Sequence, residues 1–259
     1  KVIELNGITK SFSGSKLIDN FTYKVLRDDR IGIVGPNGIG KTTLLNIIAG
    51  LLPPDEGTVE WGDTVKIGYF SQENKEMDEN LRAIDYIKKA GELVATADGS
   101  TITASQLMER FLFPSNTQYT PISKLSGGEK RRLQLAYVLM GAPNVLLLDE
   151  PTNDLDIETL TILEDYIDDF SGAVIAVSHD RYFLDRIAEK IFAFEGNGVI
   201  KEYTGNYFDY SQSLKPQGSV HEAAVEKKDK AQVRKKERPL KFTFKEQKEY
   251  EEIEGVIEG

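Results

Sequence analysis

The chain has 259 residues, 40% of them hydrophobic, and a net charge of −10, which provides enough apolar material for a packed domain and excludes a chain disordered throughout. It has no cysteine and only two histidines, His179 and His221, so disulfides and thiolate metal centres are excluded and a histidine-built zinc site lacks ligands. No apolar run approaches the roughly eighteen residues of a membrane span, and the chain opens at Lys1 with no signal-like segment, so the expectation is a cytoplasmic piece of a longer protein that makes no membrane contact.

Residues 2–25 alternate in the manner of antiparallel strands in a half-exposed sheet. The apolar run Ile31 to Val34 then leads into Gly35-Pro-Asn37-Gly38-Ile-Gly40-Lys41-Thr42 and a helical stretch from Thr43 to Ala49. Strand, glycine-rich turn and helix in that order are the context of a P-loop. Glycines let backbone N–H groups turn inward on a phosphate, the helix start adds partial positive charge, Lys41 is placed to neutralise phosphate oxygens and Thr42 to ligate Mg²⁺. A second run, Val65 to Phe70, precedes Ser71-Gln72.

From Glu73 to Lys124 the pattern is polar and helical, with Ile84 and Ile87, then Leu107, Phe111 and Leu112, at helical spacings. This predicts an inserted helical subdomain over about residues 73–140. Leu125-Ser126-Gly127-Gly128-Glu129 opens an amphipathic helix through Leu133 to Leu139. Ser126 and Glu129 read as a capping box, yet two successive glycines beside a hydroxyl also make a second phosphate-binding corner. Val145 to Leu148 ends in Asp149-Glu150, where a buried strand delivers carboxylates to the edge of a sheet. Asp149 is the candidate Mg²⁺ ligand and Glu150 the candidate base for an attacking water. Ala173 to Val177 leads to Ser178-His179, and Ile191 to Phe194 is the last buried run.

Short β-branched runs alternating with helical patterns predict an α/β fold with a mostly parallel core sheet, an N-terminal antiparallel β subdomain and a short helical subdomain. The core domain is expected over 1–210, a charged linker over 211–241 and the start of a coiled-coil helix over 242–259, where Tyr250, Ile253 and Ile257 recur at three and four. Residues 215–259 hold eleven Lys/Arg against ten Asp/Glu, so the negative charge lies in residues 1–214, while residues 227–241 alone hold eight basic and two acidic groups. Two readings of that basic run stand, a polyanion contact and a solvated linker.

Taken together, the P-loop, Leu125-Ser-Gly-Gly-Glu129 and Leu146-Leu-Leu-Asp149-Glu150-Pro-Thr-Asn-Asp-Leu-Asp156, in that order, resemble the ATP-binding cassette family over about residues 1–210. The resemblance implies binding and hydrolysis of ATP with Mg²⁺. It implies that Gln72 senses the metal and water, that His179 contacts the γ-phosphate and that Phe12, in Ile-Thr-Lys-Ser-Phe, stacks on adenine. It further implies a head-to-tail partner cassette, from the same full-length chain or a second copy. Ser126 and Gly128 would then touch nucleotide held by that partner, with Asn153 to Asp156 at the seam.

The stretches Val177-Ser-His-Asp-Arg-Tyr-Phe-Leu-Asp185 and Tyr203-Thr-Gly-Asn-Tyr207 resemble the ABC-F subfamily, and Tyr119 to Lys124 lacks the Glu-Val-Gly element of many exporter motors. ABC-F proteins carry two cassettes and no membrane domain and act in translation at the ribosome's tRNA exit site. Phe194-Glu-Gly-Asn-Gly198, the basic run and Lys245 to Glu252 resemble the second cassette of the Uup-type group, although many relatives carry His where Asp154 stands. The implied partners are the ribosome and tRNA. The alternatives are a DNA repair or recombination ATPase and, ranked last, the ATPase subunit of a transporter.

Overall fold

A computed structural model describes residues 2–72, 77–95 and 99–214, with the side chain of Asp154 outside the description. Strands β1 (Ile3–Phe12) and β2 (Ser15–Val25) form an antiparallel hairpin. Strand β3 (Arg30–Val34) then leads to helix α1 (Lys41–Ile48), and β4 (Glu56–Trp61) returns to pair antiparallel with β1. The resulting three-stranded sheet, ordered β2-β1-β4, is the expected N-terminal subdomain with one additional strand. Sequence pattern does not single out β4 because Glu-Gly-Thr-Val-Glu-Trp is largely exposed and its alternation rests on Val59 and Trp61 alone.

The main sheet includes β3, β5 (Ile67–Phe70), β8 (Val145–Asp149), β9 (Ala173–Val177), β10 (Lys190–Gly196) and β11 (Val199–Thr204) in the order β11-β10-β3-β9-β8-β5. All neighbours are parallel except β10 and β11, so the fold is α/β with a mixed, mostly parallel sheet. Strands β8 and β9 are buried along their whole length, as continuous apolar runs in a parallel sheet must be.

Because side chains alternate along a strand, the central strands divide between two cores. Val145, Leu147, Ala173, Ile175 and Val177 pack with Leu44, Leu45 and Ile48 of α1 and with Ile3, Leu5 and Ile8 of the small sheet. Leu146, Leu148, Val174 and Ala176 face the opposite way, toward α4 (Gly127–Met140), α6 (Ile157–Asp169) and α7 (Arg181–Ile187).

The insertion holds α2 (Ala83–Lys88) and α3 (Ala104–Arg110), with Ile84, Ile87, Leu107 and Phe111 buried as their spacing predicts. Leu112 falls beyond the end of α3, in a left-handed conformation with φ 61°. Between the two helices lies a hairpin of β6 (Leu93–Ala95) and β7 (Thr101–Thr103), whose three-residue strands are too short to show a period. Helix α5 (Pro151–Asp154) follows β8, and α8 (Tyr207–Ser213) packs Tyr210 on Tyr203. The sequence reading of residues 215–259, including the basic run and the coiled-coil start, lies outside the described residues. Among the described residues no helix is long and apolar enough to cross a membrane.

Candidate active site

Four parallel strands end almost level: Ile33 is paired with Val177, Val177 with Asp149, and Leu148 with Phe70. The loops that leave them therefore emerge along one carboxyl edge, where α/β sheets place their ligands. Those loops carry Gly35 to Gly40, Gln72, Glu150 and His179, and they enclose a cleft of about 300 Å³ lined also by Lys41, Thr42, Thr43, Asp149 and Asn153. Register thus brings together residues more than a hundred positions apart in the chain.

The loop before α1 turns through Gly38 at φ 74° and Gly40 at φ 118°, values that L side chains rarely adopt. Gly40 is the N-cap of α1, and no side chain caps the helix. Its first amides are left for an acceptor in the cleft, which is the arrangement of an anion site. Lys41 is buried and curls back, with Nζ donating to the carbonyls of Gly35 at 2.8 Å and Pro36 at 3.0 Å. Burial pulls its pKa below the ordinary lysine value, opposed by the charges of Glu150 and Asp149.

Asp149 is 1% exposed at the end of β8. Its Oδ2 accepts from the Tyr69 hydroxyl at 3.4 Å and its Oδ1 has no hydrogen-bond partner. Burial raises its pKa, while hydrogen bonds from Thr42 and Tyr69 and the charge of Lys41 oppose that rise. A buried carboxylate oxygen without a donor, beside a threonine hydroxyl, suits Mg²⁺, which takes one or two protein ligands and completes its shell from phosphate and water. The residues present fit that ion.

Glu150 follows in a left-handed conformation, φ 51° and ψ 52°, at the N-cap of α5 with Pro151 behind it. A non-glycine residue held there costs on the order of 1–3 kcal/mol, a strain that clusters at functional sites. The turn directs its carboxylate to His179, whose backbone N–H donates to Oε2 at 3.2 Å. His179 Nε2 lies 2.8 Å from Asn37 Oδ1 and 3.3 Å from Glu150 Oε1, so a proton on Nε2 meets two acceptors. Lys41 Nζ lies 3.5 Å from the same nitrogen, so Lys41, Asn37, Glu150 and His179 converge from three loops, although with the proton on Nε2 the Lys41 approach is proximity of two donors and not a hydrogen bond.

Other expected residues lie apart. Phe12 is 47% exposed at the end of β1, with Lys10 Nζ 5.4 Å above its ring, and does not line the cleft. Ser126 and Gly128 start α4 on another surface. There the Ser126 hydroxyl and Glu129 form the expected capping box, with Glu129 Oε2 accepting from Ser126 N at 2.8 Å and Oγ at 2.7 Å. These bonds hold the Glu129 carboxyl below its ordinary pKa. Sequence reasoning missed Tyr69, whose link to Asp149 depends on the β5–β8 pairing, and the role of Asn37 as acceptor for His179. A larger cavity of about 510 Å³, between α3 and α6, is lined by Phe111, Tyr166, Arg110 and Asp165 among others but by none of the motif residues; burial pushes the Tyr166 phenol up to about 12.

Comparison with known proteins agrees with this geometry. Residues 18–153 match the family model described as ABC transporter. The chain is 53% identical over 257 residues to the ABC transporter ATP-binding protein YfmR of Bacillus subtilis (strain 168), covering 99% of this chain and 41% of that protein. It is 36% identical to the ATP-binding protein Uup of Escherichia coli (strain K12), covering 99% of this chain and 41% of Uup. It is 40% identical to the energy-dependent translational throttle protein EttA of the same strain, covering 83% of this chain and 39% of EttA. The chain thus spans about two fifths of the length of these relatives. A dimeric ATP-binding cassette, solved in a post-hydrolysis state with ADP and phosphate, superposes with a TM-score of 0.63 at 22% identity, covering 78% of this chain and 98% of that one.

Proposed function

The chain belongs to the ATP-binding cassette family, beside relatives such as Uup and EttA, and on that footing we propose that its cleft binds Mg·ATP and hydrolyses it. The observation that carries the proposal is the convergence of Lys41, Asn37, Glu150 and His179, with the buried Asp149 in the same cleft, at one sheet edge next to an uncapped helix start. The amides that open α1 and the ammonium of Lys41 bind the phosphates. Thr42 and Asp149 would hold Mg²⁺, which would supply charge neutralisation at the phosphate oxygens. Glu150 accepts a hydrogen bond from a water and aims its oxygen at the γ-phosphorus, since its carboxylate is already fixed by the His179 amide. His179 and Gln72, which border the same cleft, face the γ-phosphate and the water.

The partner is a second cassette, whose nucleotide meets Ser126 and Gly128; the dimeric cassette compared above supports that arrangement. The chain itself is read as the second cassette of a two-cassette, cytosolic protein. Similarity to a protein named as a translational throttle supports a role at the ribosome, with ATP closing the pair and hydrolysis reopening it. The basic run at 227–241 favours one further reading, a DNA-associated ATPase.

The test sediments the full-length protein, carrying Glu150→Gln and the matching change in its other cassette, with ribosomes in the presence and absence of ATP. Duplex DNA serves as competitor. ATP-dependent cosedimentation that DNA does not displace supports the translation reading. Absence of ribosome binding together with steeply salt-sensitive DNA binding selects the other.

A further inference from the structure

Helix α4 carries the Ser126 corner at its start and lies directly on β5, the strand that leads to Gln72. A Cβ added at Gly68 of β5 would meet Val138 and Pro143 side-chain atoms at 2.9 Å, so only glycine allows α4 this close. Across that contact sits Arg131, five positions after Ser126 and 5% exposed. Its Nη1 donates to the carbonyl of Ser71 at 3.0 Å and to Gln134 Oε1 at 2.9 Å, and its guanidinium lies 4.2 Å from the centre of the Phe70 ring. Phe70 and Ser71 are the two residues immediately before Gln72. On the outer side Lys130 Nζ meets Glu79 Oε1 at 2.7 Å, and the Glu79 carbonyl accepts from Ser123 N at 3.0 Å. The first turns of α4 therefore grip the chain both before and after Gln72.

A core that needed only stability is served as well by an apolar side chain as by a buried charge. What Arg131 adds is geometry: a rigid planar fork that fixes one backbone carbonyl and stacks on one ring, which a lysine cannot reproduce. We infer that Arg131 is a positioning residue that couples the Ser126 corner to Gln72, so that nucleotide presented by a second cassette at α4 sets the place of Gln72 in this chain's own cleft. The inference rests on the reading of the cleft as an Mg·ATP site. The exposed Lys130–Glu79 pair is the weaker tie, screened by solvent.

The experiment is a double-mutant cycle in the full-length protein between Arg131→Lys and Gln72→Ala, reading kcat, KM, ATP affinity and melting temperature. Coupling predicts that Arg131→Lys, although it melts somewhat below the parent, still folds cooperatively and binds ATP within about twofold of it, but loses about tenfold or more in kcat, the scale of a small misplacement. The double variant then turns over no more slowly than the slower single one. Multiplying effects, or a parental kcat in Arg131→Lys, overturns the inference. Should Arg131→Lys fail to fold, Glu79→Ala replaces it in the cycle, with an expected kcat loss of about twofold that does not multiply with Gln72→Ala; a multiplying loss overturns the coupling. Parent-like hydrolysis by Glu150→Gln, measured alongside, overturns the cleft assignment itself and is distinct from either outcome of the cycle.

Discussion

Two helices of this protein start from glycine-rich turns, α1 after Gly38-Ile-Gly40 and α4 at Gly127-Gly128, and they resolve the same problem in opposite ways. Both leave amides that need acceptors. At α4 the acceptor is internal: Ser126 and Glu129 close on each other and the helix start faces outward. At α1 no side chain caps the helix, and the cleft before it contains a buried lysine and a carboxylate oxygen without a donor. Glycine-rich helix starts are therefore not equivalent as binding sites. The unsatisfied one lies at the carboxyl edge of the sheet, where Lys41 suits a phosphate and the carboxylate of Asp149 suits a divalent cation, whereas the satisfied one needs no ligand to complete it.

The sharpest way to break this contrast is to add one methyl group at each start. Gly40→Ala forces a Cβ to 3.0 Å from Leu17 Cβ at a φ of 118°, and is expected to cost on the order of 1–3 kcal/mol in chemical denaturation and to weaken ATP binding. Gly127→Ala meets nothing within 4 Å at an ordinary helical φ, and is expected to be neutral or to stabilise by up to about 1 kcal/mol. Equal costs at the two positions would end the distinction.

A second test asks whether α1's surroundings are held ready at the expense of stability. The folded pKa of Asp149 is raised, chiefly by burial, so its contribution favours the fold below the ordinary aspartate range and is lost as pH rises through the folded value. Asp149→Asn should therefore raise the melting temperature of the nucleotide-free protein at neutral pH, with the gain vanishing in acid, while abolishing Mg²⁺-dependent activity. An unchanged or lower melting temperature at neutral pH would show that burial of this charge carries no cost.

The smallest effect is expected at α4. Ser126→Ala removes the cap and should destabilise by about 0.5–2 kcal/mol, toward the lower end for an exposed helix start. Because Glu129 has a depressed folded pKa, the box stabilises above the ordinary glutamate range and its contribution fades as pH falls through the folded value. Melting curves of the parent and Ser126→Ala should therefore draw closer in acid without merging, because the Ser126 hydroxyl still accepts from the Glu129 amide there. A gap that does not narrow in acid would show that the Glu129 carboxylate adds nothing to the cap.

The contrast also shows what a sequence carries. Whereas Gln72 and His179 stood out only through the family resemblance, the loops Gly35 to Thr42 and Asp149-Glu150 were legible because each holds its chemistry in adjacent residues after a buried apolar run. The Ser126–Glu129 box was legible for the same reason. Their convergence required the parallel register, and whatever depended on register was hidden. Tyr69 reaches Asp149 only because β5 lies beside β8, and Arg131 reaches Ser71 only because α4 lies on β5. Local patterning likewise concealed β4 and the β6–β7 hairpin, which are too exposed or too short to show a period.

The central claim is that the cleft at α1 hydrolyses ATP with Glu150 directing the water, and its most direct test is to measure ATP hydrolysis and ATP retention side by side for the parent and Glu150→Gln. The account predicts that the variant retains ATP as tightly as the parent while hydrolysis falls by about 10²- to 10⁴-fold, the usual worth of a general base. Parental turnover by Glu150→Gln would contradict it.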